Sequence, residues 1–222
     1  MKLFIPQIDD TIICDKKICP SLVIEKPNVW CSILQDITEQ LQGEEGKVVL
    51  SNEDKVIPIA KNLEVISQFI PFEINQKGLV SKIMNEMQKL AVNEGHFVQT
   101  TTLLAEWERF LLELSTELTG NFNFSKINIE SLIKASGLEL DNAYDNLGER
   151  ILDYFELVRV YDREKLFILV NLRSYLSEQD MIEFLKNVSA RGYEVLLMDA
   201  VDYPRIMGEQ RHIVDADQCI LC

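Results

Sequence analysis

The sequence predicts an α/β head interrupted by an all-helical leg, and three observations carry that expectation. Leu166 to Val170 and Tyr193 to Met198 are short runs of β-rich residues that stay apolar along their whole length. Strands of that kind are buried on both faces, as in a parallel sheet. Between them lies a capped amphipathic helix. Ser177 stands three residues before Asp180, a helix-start pattern, and Met181, Ile182, Phe184, Leu185 and Val188 follow at helical spacing. A strand–helix–strand unit of this length forms a right-handed crossover. The third observation is a change of character after Gly78, where a stretch reaching to about Leu118 shows helical periodicity and no strand signal.

In chain order, Leu3–Ile5, Thr11–Cys14 and Leu22–Ile24 are short apolar pieces separated by Asp, Lys and Pro, which read as a small strand meander. Asn28 is a candidate cap for a helix whose inner face is Val29, Trp30, Ile33, Leu34, Ile37 and Leu41. The glycines at 43 and 46 end it, and Lys47–Leu50 and Leu63–Ile66 are further strands. Leu79, Val80, Ile83, Met84, Met87, Leu90 and Ala91 then recur at three and four residues. Leu103, Leu104, Trp107, Phe110, Leu111, Leu114 and Leu118 continue the pattern, a helical hairpin or broken long helix. A short helix from about Asn128 to Ser136 is stopped by Gly137, and Tyr144, Leu147, Ile151, Phe155 and Val158 mark one face of a longer one. In the tail, Ile213–Val214 and Cys219–Leu221 are edge-strand candidates. The expected organisation is an α/β head formed by residues 1–77 and 141–222, the latter opening with a return helix, and a helical leg at 78–140. The head sheet is mixed and largely parallel, like a nucleotide-binding fold without its phosphate loop.

Composition narrows the function. The 222 residues are 47% hydrophobic, enough for a proper core, and no apolar run approaches the roughly 20 residues of a membrane span. The N-terminal Met1-Lys-Leu-Phe-Ile-Pro6 meets Asp9 and Asp10 at once, too short and too acidic for a signal peptide, so a cytoplasmic location is expected. A formal net charge of −14 argues against nucleic acid as a partner, but it describes the whole surface and leaves room for a small basic patch. Cys14, Cys19, Cys31, Cys219 and Cys222 make an odd count in a chain with no export signal, which indicates reduced thiols. Cys219-x-x-Cys222 with Cys14 and Cys19 has zinc-like spacing but no Gly-rich knuckle, and buried or incidental thiols are the better reading.

No catalytic constellation emerges. Gly43-Glu-Glu-Gly-Lys47 is a turn rather than a phosphate loop: its glycines are too close, no hydroxyl residue follows the lysine, and it enters a strand instead of opening a helix. Val195–Asp199 resembles the strand-plus-aspartate that holds magnesium in phosphoryl-transfer enzymes, yet without a partner loop it reads as a core strand. His96 and His212 lack neighbouring nucleophiles. Asp9-Asp10, Glu44-Glu45 and Asp215-x-Asp217 read as solvated loops, the last with some capacity for a hard cation. Basic residues are scattered singly or in pairs: Lys16-Lys17, Lys55, Lys61, Lys77, Lys82, Lys89, Lys126, Lys134, Arg150 and Arg159.

A series of segments in order resembles a known family. Leu22-Val-Ile-Glu25 leads into the Trp30 helix. Val48-Val-Leu-Ser-Asn-Glu-Asp-Lys55 precedes Leu63-Glu-Val-Ile-Ser-Gln-Phe-Ile70 and Glu73-Ile-Asn75. Then come Glu130-Ser-Leu-Ile-Lys-Ala-Ser-Gly-Leu138, Arg163-Glu-Lys-Leu-Phe-Ile-Leu-Val-Asn171, Leu176-Ser177 and Leu196-Leu197. Nearly end to end, the chain is similar to the small adaptation proteins of type II-A CRISPR loci, the DNA-encircling Csn-two family. That resemblance implies a head-and-leg protomer, a homotetrameric ring and sequence-independent binding of the ends of linear double-stranded DNA in its central hole. It places the protein in spacer acquisition beside the CRISPR integrase and the RNA-guided effector nuclease, with no catalytic activity and no membrane. A ring can keep its few lysines for the lumen, and the expected phosphate contacts are Lys61, Lys77, Lys82, Lys126 and Lys134, in or flanking the leg. Relatives bind calcium at or near an acidic stretch where the leg returns. Here that place reads Thr119-Gly-Asn-Phe-Asn-Phe-Ser125, without a carboxylate, so calcium is not carried over to 119–125. Two other readings stand beside this one: a catalytically silent nucleotide-fold-like scaffold that never touches DNA, and a metal-dependent nuclease.

Overall fold

The computed structural model describes residues 1–141, 146–206 and 209–215, and the backbone of 220–221. It divides into two compact units: Met1–Glu73 with Ala143–Cys222, and Ile74–Asn142. The first is built on two sheets. β1 (Lys2–Ile5), β2 (Asp10–Ile13), β4 (Val49–Asn52) and β5 (Lys55–Val56) form a small antiparallel sheet in the order β2-β1-β4-β5. The larger sheet runs β10-β9-β3-β8-β7-β6, with β3 (Cys19–Ile24), β6 (Leu63–Ile66), β7 (Leu166–Val170), β8 (Glu194–Asp199), β9 (Glu209–Val214) and β10 (Ile220–Leu221). All neighbours are parallel except β9 and β10.

The expected meander is therefore two things. β1 and β2 pair as antiparallel neighbours, whereas β3 leaves for the middle of the larger sheet, where all six of its residues are buried. The tail differs too. β9 lies between β3 and β10 and is not an edge, since its register with β3 covers all six residues. A short helix, α2 (Ile59–Asn62), precedes β6.

Strand alternation sends side chains to two layers. Leu22, Ile24, Leu166, Ile168, Val170, Leu196 and Met198 meet Val29, Ile33 and Ile37 of α1 (Pro27–Leu41) and Leu3, Ile5, Ile12 and Leu50 of the small sheet in one cluster. On the other face Phe167 stacks on Phe155 of α6 (Leu147–Tyr161) at 3.9 Å between ring centroids, and Phe155 also meets Tyr193 and Phe184 of α7 (Glu178–Arg191). The helix starts follow capping chemistry. Ser177 Oγ accepts from the Asp180 amide, and Asn146 Oδ1 accepts from those of Gly148 and Glu149. α1 departs from the expected cap. It begins at Pro27, whose missing N–H suits the first helical position, and Asn28 lies inside it.

The second unit contains α3 (Lys77–Ala91), α4 (Phe97–Thr116) and α5 (Ile129–Ala135). Asn128 caps α5, and Asn75 ties to Leu140 by two hydrogen bonds. Its buried apolar residues are few: Ile74, Leu79, Ile83 and Ile133. Tyr144, Asp217, Cys219 and Cys222 lie outside the described residues. Among those described, no helix is long and apolar enough to cross a membrane.

Candidate nucleic-acid interface

The five lysines expected at phosphate sit on different elements. Lys61 is in the last turn of α2, in the first unit. Lys77 opens α3 and Lys82 lies within it. Lys126 is in the connection between α4 and α5, and Lys134 is in the last turn of α5, all in the second unit. All five are exposed. A spacing of five turns Lys82 about 140° from Lys77 around α3, so one helix face does not hold both. Lys134 Nζ lies 2.6 Å from Glu130 Oε1, which cancels much of its charge, while Lys61, Lys77 and Lys126 have no carboxylate partner among the described residues.

α4 sets the character of the second unit. None of its 20 residues is buried. Phe97, Val98, Leu103, Trp107, Phe110, Leu112 and Leu114 are exposed large hydrophobics, and Leu118, Phe122 and Phe124 continue the apolar surface beyond the helix. Trp107 and Phe110 pack on each other at 6.2 Å. A groove of about 690 Å³ runs between α3, the start of α4 and α5, lined by Met87, Leu90, Val98, Leu103, Ile129 and Ile133 among others. Large apolar side chains exposed together along one helix mark an interaction face.

Buried polar chemistry is concentrated in the first unit. Arg173, in the turn after β7, donates to Glu209 Oε1 and to the Pro204 carbonyl, and its Nε lies 3.5 Å from Asp199 Oδ2. Burial pushes the Asp199 carboxyl up to about 6 against the pull of Arg173, because neither of its oxygens receives a hydrogen bond. Burial also raises Glu209, but bonds from Arg173 and the Ile206 amide outweigh it and hold that carboxyl below its usual range. The strand-plus-aspartate at Val195–Asp199 thus ends on an internal guanidinium. Nothing in the linear pattern marks Arg173, since its partners are strands that follow it by 26 and 36 residues, too far for any local periodicity to register.

The two histidines serve structure. His212 Nδ1 is 3.0 Å from Asp10 Oδ2, joining β9 to β2, and the His96 amide bonds to Asn93 at the turn into α4. Cys14 and Cys19 are buried, and burial lifts both thiols, Cys14 to about 12. Cys31 is exposed. Gly43 closes α1 with φ +92°, and the segment after it enters β4. The side chains of 119–125 are exposed and offer no carboxylate, and among the described residues no group of three or more His, Cys, Asp or Glu is placed to hold a metal ion.

Comparison with known proteins gives the context. Residues 40–218 match the model of the family described as CRISPR-associated protein (Cas_Csn2). The CRISPR-associated protein Csn2 of Enterococcus faecalis is 21% identical over 145 residues, 62% of this chain and 63% of the relative. The fold is similar to the crystal structure of Stu0660 of Streptococcus thermophilus, with a TM-score of 0.56 and 10% identity over 89% of this chain and 68% of the other. With the α/β head and helical unit in place and most of its length matched, the chain belongs to the CRISPR-associated Csn2 family.

Proposed function

We propose that this protein is a non-enzymatic, ring-forming homotetramer that holds the ends of linear double-stranded DNA, independently of sequence, during CRISPR spacer acquisition. Family membership supports the setting, with the CRISPR integrase and the RNA-guided effector nuclease as partners in the cytoplasm. The observation that carries the reading is α4, a helix of 20 residues none of which is buried in the protomer. Burial against further copies is the physical remedy for such a surface, and cyclic or dihedral closure would repeat each protomer's lysines around one hole. Lys61, Lys77 and Lys126, exposed and without carboxylate partners among the described residues, supply charge for phosphate oxygens, with Lys82 and Lys134 as secondary contacts. An acidic exterior is compatible with this, because phosphate contact depends on local charge and not on the total. Calcium at 119–125 plays no part in the assembly proposed.

The test is a mobility-shift comparison of linear and covalently closed duplex of the same sequence, across salt and with a chelator. Retention of the linear form alone, weakening steeply with salt and unchanged by the chelator, supports a ring loaded from ends. Failure on both forms favours the scaffold reading, and cleavage products in magnesium would establish a nuclease instead.

A further inference from the structure

A second surface lies in the first unit, and none of the lysines considered for DNA lines it. One stripe of α7, running Ile182, Leu185, Lys186, Ser189 and Ala190, faces a groove of about 470 Å³ whose other side is Lys17, Cys19 and Ile206. Its floor is apolar, since Ile206 and Leu185 are nearly buried and Ile182 and Ala190 extend the aliphatic surface outward. Its charged lining is Lys17 and Lys186, both exposed, with no carboxylate among the described lining residues. Among the described residues neither lysine has a carboxylate within ion-pairing distance; Asp15, held by the amides of Lys17 and Ile18, is the acid that senses Lys17. In a chain with 36 acidic against 22 basic residues, an apolar groove bordered only by lysines is a local reversal of charge.

We infer that this groove docks a short acidic amphipathic segment of a protein partner, aliphatic side chains against Ile182, Leu185 and Ile206 and carboxylates beside Lys17 and Lys186. Length agrees. From Ile182 to Ser189 the stripe spans about 10 Å, two turns of a helix. Charge complementarity selects carboxylates over cations and adds on-rate and register to the contact. The aliphatic floor distinguishes the occupant from duplex DNA, whose backbone presents phosphate and sugar and no aliphatic anchor.

The experiment uses the whole protein and two fluorescein-labelled helical peptides, one of Leu, Ala and Glu and its counterpart with every Glu replaced by Lys. The Glu peptide is expected to bind saturably and to weaken with salt, the Lys peptide not to bind. The double variant K17E/K186E reverses the border charge at exposed positions and should weaken the Glu peptide about tenfold. I182D, which breaks the floor and leaves both lysines, should weaken it as well. Equal binding of the two peptides, no binding of either, or an unchanged affinity in K17E/K186E overturns the inference. A K17E/K186E variant with altered particle mass would assign the groove to a second copy of this chain. One that loses duplex DNA would assign it to nucleic acid.

Discussion

Arg173 and Glu209, 36 residues apart, form an ion pair whose side chains are 5% and 0% exposed. The pair fastens the connection between β8 and β9, because the same arginine bonds Pro204 O and the same carboxylate accepts from the Ile206 amide. Arg211 adds a third hold, lying 2.6 Å from Asp202 Oδ1 and 3.3 Å from Glu209 Oε2. Replacing Arg173 by Met leaves two buried carboxylates with one fewer cation. The expected loss is about 3–5 kcal/mol, read as a lowered denaturant midpoint, because stranding a buried charge costs more than the pair contributes. A midpoint within experimental error of the parent would refute that account.

Asp199 makes stability depend on pH in an unusual direction. Its carboxyl titrates at about 6 in the folded protein, against 3.8 for the ordinary group. The folded state therefore holds its proton more tightly than the unfolded chain. The stabilisation is complete below about 4 and disappears as pH rises through about 6. Asp199→Asn removes this dependence, so the variant should gain on the parent across that window, by about 3 kcal/mol. Glu209, held low, acts in the opposite sense and loses its contribution on acidification. The difference between parent and variant melting curves isolates Asp199.

The cap of α7 can be tested separately. Ser177 Oγ accepts from the Asp180 amide at 3.2 Å and donates to Asp180 Oδ2 at 2.6 Å. Ser177→Ala should cost about 1 kcal/mol and Ser177→Gly only a few tenths. An undiminished stability in Ser177→Ala would show that the side-chain bond is not what holds the helix start.

Because Trp107 and Phe110 are exposed in the protomer, W107E/F110E should leave helical circular dichroism almost unchanged. The proposed assembly predicts a lower particle mass in sedimentation, since carboxylates cannot be buried unpaired in an apolar interface. A variant that sediments like the parent would remove α4 from the assembly face.

Charge reversal separates the lysines. K61E, K77E and K126E should each weaken linear duplex binding and lower the salt slope by roughly one phosphate contact. K134E should do less, because its charge is already offset by Glu130.

Much of the fold was legible because its signals are local. The strands at Leu63–Ile66 and Leu166–Val170, the helices of the second unit and the cap at Ser177 follow from hydrophobic period and capping chemistry over a few residues. The interface was less so. Sequence could name lysines but not rank them. Pairing of Lys134 with Glu130 is an i,i+4 relation that helical spacing could have flagged, whereas the groove beside Lys17 and Lys186 joins residues from both ends of the chain.

The chain by itself determined the kind and order of its elements and, through ordered segments, its family. Tertiary structure alone decided that β3 leaves the first hairpin to sit between β8 and β9, and that Arg173 closes on Asp199 and Glu209. The reason is physical. Period and capping act within a turn or a strand, while strand partners and buried ion pairs are selected by whole-chain packing, where apolar burial on both sheet faces overrides separation in sequence.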